Sequence, residues 1–296
     1  MLGIHDWRMS QFQCLQREWS SNLGELLASA RRELLVCSPF ITSDGIRFVE
    51  ERSSPEFRRD GTCTVVTNLA PINVIQGATD PRALQQLSQS IPHLALWHLP
   101  RLHAKVYVAD TATAIVTSAN LTFGGVRANY EYGIQITDTD TVAQIRSDIM
   151  GYSELGARLT NEQLRRYVEV AEEVRKAFQG QQRATAKTAK SVFAQLLHKA
   201  ENELISLRLS GVSRTQVFER TIEYLLKRHG PMTTPELHSR IATIHSDLCD
   251  ESVDRVINGR HFGKQWKHAV RAAQSHLKMH RVIDLSDGQW GLIVHE

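Results

Sequence analysis

An α/β sheet domain followed by a smaller, mainly helical domain is the fold class that the sequence predicts, on three observations. From about residue 10 to 155, short apolar runs alternate with amphipathic segments, the pattern of strands and helices packed in layers. A long amphipathic stripe then gives way to a polar stretch without apolar periodicity. Past that stretch, helical periodicities lead to a closing pair of short strands. At 296 residues the chain has room for one well-buried domain and a second, smaller one.

The predicted strands are ELLVCSPFI (33–41), TCTVVTNL (62–69), HLALWHL (93–99), HAKVYVAD (103–110), TAIVTSA (113–119) and EYGIQITD (131–138). Helices are expected around 16–31, near 43–52, near 81–90 and from 139 to about 152, the last started by Asp and Thr capping residues. In 160–178, Thr160 and Gln163 have capping-box spacing, and Leu164, Tyr167, Val168, Ala171, Val174 and Phe178 fall on one stripe. The stretch 179–191, QGQQRATAKTAKS, has three basic residues and no acid and reads as a linker. The sequence thus divides into 1–178, a linker, and 192–296. In the last part, helices at about 191–208, 214–228, after TTPE and at about 263–279 precede RVIDLSDGQWGLIV, two strands joined through SDG. Helix, helix, helix, hairpin is winged-helix order.

Composition narrows the function classes. Hydrophobic content of 42% and charged content of 23% are those of a globular chain. No apolar run approaches the roughly 20 residues that span a bilayer, and the N-terminus lacks the basic and apolar regions of a secretory signal, so a cytoplasmic location without membrane attachment is expected. Cys14, Cys37, Cys63 and Cys249 are widely separated and read as buried reduced thiols, with neither disulfide nor zinc-ligand spacing. The net charge of +3 is small, so the placement of charge matters more than its sum.

The chemistry concentrates in residues 103–120. Side chains alternate faces along a strand, so Ala104, Val106 and Val108 point into a core while His103, Lys105 and Tyr107 point the other way. Ser118 and Asn120 share a face at the end of the next strand. If the strands are neighbours, an imidazole, an ammonium, a hydroxyl and an amide converge. Such a group suits a phosphodiester: Lys105 neutralises charge, Ser118 and Asn120 donate to non-bridging oxygens, and His103 attacks phosphorus. Any one of these residues could belong to a solvated strand face; their joint spacing points to the chemistry.

His103-x-Lys105-x4-Asp110, followed by Thr117-Ser118-Ala119-Asn120, resembles the HKD motif of the phospholipase D superfamily, with Thr117 where glycine is usual. Gly125, Asn129, Glu131 and Gly133 are similar to the tail of that motif, and the resemblance implies that Glu131 orients the catalytic histidine. Ser38-Pro39-Phe40 resembles the segment bordering the pocket. The resemblance covers roughly residues 20–155 and implies a mixed sheet flanked by helices, no metal or other cofactor, and a phosphohistidine intermediate with a second histidine as acid. This chain holds a single motif, so a two-fold homodimer is expected to supply the second His103. Asp110, far along the strand, is expected to tie down its own loop.

In the C-terminal part, Arg260, Lys264, Lys267, Arg271, Lys278 and Arg281 lie in a segment without acids, 258–281. Trp266, Val270, Ala273 and Leu277 make a core stripe, and the bases lie on another face, as in a recognition helix ahead of its wing. Trp266 and Trp290 read as core. The leading expectation is a metal-independent DNA endonuclease of restriction or phage-defence type acting on double-stranded DNA, resembling single-motif restriction enzymes. A helicase or ATPase subunit is carried as a further partner. The alternatives are a phospholipase or phosphatidyl transferase of the same superfamily, and a non-catalytic winged-helix regulator.

Overall fold

Eight strands form one mixed sheet in the computed structural model, which describes residues 11–183 and 187–293 and, within these, the side chains outside 180–190. In chain order the first elements are β1 (Phe12–Leu15), α1 (Ser20–Ser29), β2 (Glu33–Cys37), α2 (Ser43–Arg52), α3 (Pro55–Asp60), β3 (Thr62–Thr67), α4 (Pro71–Ile75), α5 (Pro81–Ser90) and β4 (Leu94–His98). They continue with β5 (Val106–Ala109), β6 (Thr113–Thr117), β7 (Gly133–Ile136), α6 (Thr139–Ser153), β8 (Ala157–Leu159), α7 (Asn161–Arg183) and α8 (Lys187–Arg208). The sheet order is β1-β7-β6-β5-β2-β3-β4-β8. β2, β3 and β4 run parallel, and the other pairs are antiparallel.

The run ELLVC is apolar at consecutive positions because both faces of the sheet are covered. Leu34 and Val36 join Val65, Tyr107 and Ile115 in a core with α1, α2, α5 and α7. Leu35 and Cys37 join Val66, Val106, Val108 and Ala114 on the opposite face, where α6 contributes Val142 and Ile149. Tyr107 therefore points into a second core rather than toward water. Local chemistry fixes the helix starts. Asp80 and Asp138 accept from backbone N–H groups of α5 and α6, and Thr160 and Gln163 form the expected capping box ahead of α7.

The stretch 179–191, read as a linker, is helical at both ends. Helix α7 continues to Arg183 and α8 starts at Lys187, leaving only 184–186 outside the described residues. Glutamine, alanine, lysine and arginine all favour helix, so a polar stretch without apolar periodicity need not be irregular. Helix α8 packs with the sheet side: Leu204 and Leu207 belong to the core of α1 and β2, and Ala200 packs with Ile75 and Val174.

A separate core follows, built on α9 (Arg214–His229), α10 (Thr234–Ile244) and α11 (Gln265–Met279). Two hairpins accompany these helices, β9 (Asp254–Ile257) with β10 (Arg260–Lys264), and β11 (Ile283–Ser286) with β12 (Gln289–Leu292). Met232, between α9 and α10, bridges Trp290 in β12. Trp266 is buried in this core and Trp290 packs half-buried against it. Of the four thiols, Cys37, Cys63 and Cys249 are buried, whereas Cys14 is exposed on the edge strand β1 and so departs from the expected burial. All four are free. Among the described residues no helix is long and apolar enough to cross a membrane.

A buried polar cluster joins the two cores. Arg208, its side chain 1% exposed, donates to Asp247, to the Leu155 carbonyl at 2.9 Å and to His245 Nδ1. His245 Nε2 lies 2.6 Å from Thr221 Oγ1, which itself donates to the Val217 carbonyl. Nε2 must therefore donate and Nδ1 accept, which fixes a neutral tautomer. Burial, with Arg208 adding to it, lowers the His245 pKa to about 3. Burial and Arg208 likewise lower that of His98 to about 4, and its Nδ1 accepts from Leu69 N.

Both imidazoles bind protons more weakly when folded than their ordinary value of 6.5, so between that pH and about 4 the unfolded chain holds more protons. Stability is expected to be full above about pH 6.5 and to fall on acidification, each imidazole costing about 2 kcal/mol by pH 5. Urea unfolding at pH 7 and pH 5 measures this, and a His245→Gln variant should show a shallower dependence.

Candidate active site

His103 and Lys105 stand just ahead of β5. The His103 side chain is exposed and Lys105 is buried. Lys105 Nζ donates to the His103 carbonyl at 2.9 Å and lies 3.2 and 3.3 Å from the two ring nitrogens. The ammonium thus fixes both the backbone and the ring of the histidine. Burial lowers the Lys105 pKa, opposed by Glu131 and Cys37.

Ser118 and Glu131 form the second half of the site. Ser118 Oγ donates to Glu131 Oε2 and accepts from Tyr132 N at 3.1 Å, while Asn129 Nδ2 donates to Glu131 Oε1 at 3.1 Å. Glu131, expected to orient His103, is thus engaged by Ser118 and Asn129. No hydrogen bond joins it to His103 among the described residues, and its link to the first pair is electrostatic, through Lys105.

Register explains why the four groups form two pairs. Val106 opposes Val116, and Thr117 N donates to the Lys105 carbonyl at 3.1 Å, so Lys105 faces Thr117 and strict alternation would put Ser118 on the other side of the sheet. The strand ends at Thr117, and the chain then leaves the pleat. No hydrogen bond connects Ser118 or Asn120 to His103 or Lys105 among the described residues. Asn120 Oδ1 is buried with no partner, which leaves an acceptor for a donor that binds there.

The loop after Ser118 is clamped from several elements. Buried Ser38 Oγ accepts from Leu121 N at 3.0 Å and donates to the Phe40 carbonyl, giving the Ser38-Pro39-Phe40 segment a physical role. Tyr107 Oη donates to the Ala119 carbonyl at 3.3 Å. A Cβ at Gly125 would lie 2.2 Å from the Asn120 carbonyl oxygen, so only glycine lets the π-helical turn Gly124–Ala128 approach so closely. Thr117, in place of the usual glycine, accepts from Ala119 N and donates to the Tyr132 carbonyl. Gly133 sits opposite it, where a Cβ would come within 2.8 Å of Thr117 Cβ, and so makes room for the threonine.

Asp110 lies at the far end of β5. Its carboxylate accepts from the N–H groups of Arg31, Arg32 and Glu33 at 2.8–2.9 Å. It therefore pins the start of β2 rather than its own loop. Burial pushes its pKa up, but these three bonds and Arg146 outweigh that effect and hold the carboxyl below its ordinary range.

Leu99, Leu102 and His103, with Tyr152 and Leu155, face Tyr224, Thr243 and Ile244 of the C-terminal helices across a cavity of about 320 Å³. Beside this cavity, Tyr224 of α9 and Ile244 of α10 pack, with Ala104, against the apolar cluster that contains Leu99 and Leu102. Local sequence pattern carries no sign of this contact, because it depends on how the two cores meet.

The six basic residues of the C-terminal part separate into two sets. Lys264 pairs with Asp254, Lys267 with Glu251 and Lys278 with Asp284. Arg260, Arg271 and Arg281 are exposed, without an ion pair among the described residues. The acids come from flanking segments, which is why 258–281 by itself has the look of an uncompensated run. Among the described residues no group of three or more His, Cys, Asp or Glu side chains is placed to hold a metal ion.

Residues 23–151 match the family model described as cardiolipin synthase, PLD-like domain. No curated protein matches the chain. Among solved structures, the phospholipase D family member Nuc from Salmonella typhimurium is 14% identical, with a TM-score of 0.41, over 50% of this chain and 97% of that one. NucT from Helicobacter pylori is 14% identical, with a TM-score of 0.39, over 50% and 98%. The phosphatidylserine synthase of Haemophilus influenzae Rd KW20 is 16% identical, with a TM-score of 0.45, over 61% and 47%. The match to the PLD-like family model thus spans residues 23–151, the stretch that holds the His103–Lys105 and Ser118–Glu131 pairs, and makes this part of the chain similar to a PLD-like domain.

Proposed function

We propose that the chain is a metal-independent DNA endonuclease of restriction or phage-defence type, active as a homodimer in which two copies of His103 face one scissile phosphate. The observation that carries this reading is the exposed imidazole fixed by a buried ammonium, beside a serine bonded to a glutamate at the head of the neighbouring hairpin. A ring nitrogen of His103 bonds to phosphorus as the bond to the leaving oxygen breaks, and His103 of the partner subunit gives that oxygen its proton. Water then attacks phosphorus, the P–N bond breaks, and His103 of the partner subunit takes back a proton from the water. Lys105 and the Asn120 amide stabilise the charge on the non-bridging oxygens, joined by Ser118 once its hydroxyl proton turns from Glu131 to the phosphate.

An exposed cross-strand row supports the dimer. Cys14 pairs with Ile134, and Ile134 with Val116; Val116 is 39% and Ile134 41% exposed. The row ends two residues from Ser118 on one strand and two from Tyr132 on the other, where an apolar seam would bring two sites together.

The C-terminal unit fits DNA through a winged-helix arrangement, α11 as recognition helix and β11–β12 as wing, tied back by the Met232–Trp290 bridge. Arg260, Arg271 and Arg281 offer unpaired charge to phosphates, and the paired Lys264, Lys267 and Lys278 less. Supercoiled plasmid is expected to be nicked in excess EDTA, with labelled phosphate trapped on His103 at short times. A strict requirement for magnesium would overturn the reading. The description of the family model names cardiolipin synthase, so phosphatidyl transfer is the second reading; release of phosphatidate from phosphatidylcholine, with no plasmid nicking, would establish it.

A further inference from the structure

The hairpin β9–β10, between α10 and α11, turns at Asn258–Gly259 with φ of 50° and 75°, the left-handed pair that suits a tight two-residue turn. It has little core of its own: Val256 is 51%, Ile257 43% and Phe262 48% exposed. A two-stranded hairpin with its apolar residues in water is marginal by itself. Its base is nevertheless fixed. Gln265 N donates to the Val253 carbonyl at 3.0 Å, His268 Nε2 donates to the Phe262 carbonyl at 2.7 Å, and Trp266 Nε1 donates to Glu251 at 3.0 Å. The arm is therefore held at a set angle to α11.

Its two faces differ in charge. Arg260 opposes Ile257, and His261 opposes Val256, so alternation gathers Arg255, Ile257 and Arg260 on one face. Phe262 follows on that side as the strand enters the irregularity between His261 and Lys264. On the other face Asp254 holds Lys264 at 2.8 Å and His261 at 3.4 Å. Arg255 and Arg260 are exposed and have no ion pair among the described residues. One face thus presents two uncompensated guanidiniums with two apolar tips between and beyond them.

We propose that this face is a second DNA-contact element, entering the minor groove of the duplex that α11 engages. A groove has phosphate walls and base edges between them, which matches cationic flanks around apolar wedges. Arg255 and Arg260 contact the walls, and Ile257 and Phe262 press on a base step. The assignment rests on the DNA reading above.

The test uses the full chain and a labelled random-sequence duplex of about three helical turns, with anisotropy measured across a salt series. Arg255→Ala with Arg260→Ala is expected to weaken binding about tenfold or more and to reduce the salt slope by nearly two. Ile257→Ser with Phe262→Ser is expected to weaken binding about tenfold while leaving the salt slope unchanged. All four side chains are exposed, so melting temperatures should match the parent. If both double variants bind and nick DNA like the parent, the arm assignment falls and the nuclease reading stands. The arm assignment falls equally if the variants lose only a co-purifying protein. A parent chain that binds no duplex at any salt would overturn both.

Discussion

His103→Ala is expected to abolish plasmid nicking, with a loss of at least about 10³-fold, while leaving the melting curve unchanged. The side chain is exposed and, among the described residues, its hydrogen bonds are to Lys105, so its removal disturbs no described core. Nor can a neighbour replace it. Lys105 is buried with Nζ turned to the His103 carbonyl, and Ser118 Oγ is already committed to Glu131 and Tyr132 N. The shared-site mechanism adds a sharper expectation. When His103→Ala subunits are mixed and re-equilibrated with active ones, activity should fall with the square of the active fraction, because each site needs two imidazoles. A linear decline would show that one copy suffices.

Arg208→Met is expected to cost about 3–5 kcal/mol of unfolding free energy, the usual result of removing one partner from a buried charge pair. Its guanidinium is bonded on several sides, to Asp247, His245 and the Leu155 carbonyl. Its loss strands the Asp247 carboxylate and the His245 acceptor in a site that water enters poorly. Asp247, whose side chain is 26% exposed, can recover some hydration, so Asp247→Asn should cost less. A combined Arg208→Met and Asp247→Leu variant should regain part of the loss, as paired apolar replacements do. Urea curves followed by circular dichroism and tryptophan fluorescence measure all three. Non-coincident transitions in Arg208→Met would show that the two cores unfold separately once the Leu155 link is gone.

Much of the sheet is legible in the sequence because its strands are apolar runs of the right length. ELLVC and TCTVVT are buried on both faces and rich in Leu, Val and Thr, and the helices at 43–52 and 81–90 lie where amphipathic segments place them. The edge strands are not. Phe12–Leu15 is exposed at three of four positions, and Ala157–Leu159 is too short to show alternation. The β9–β10 hairpin escapes sequence reading despite its Asn258-Gly259 turn signal, because both strands are short, charged and largely exposed, so neither shows a buried face. At the site, the residue types and spacing of His103 and Lys105 are enough to find them. The partners of Asp110 and the Ser118 partner of Glu131 are not legible, since each is set by a neighbouring strand whose register no local pattern encodes. Stretch 179–191 is the converse case, in which the polar end of α7 and the start of α8 resemble a linker.

The apolar residues around His103 pack with Tyr224 and Ile244, and this limits how freely the halves could be exchanged. A chimaera carrying a different C-terminal unit would have to reproduce that supporting wall, together with a guanidinium aimed at the Leu155 carbonyl, or the His103 segment would lose its footing. Substitutions on the outward surfaces of α11 and its hairpins should therefore disturb that segment less than substitutions on the inward sides of α9 and α10.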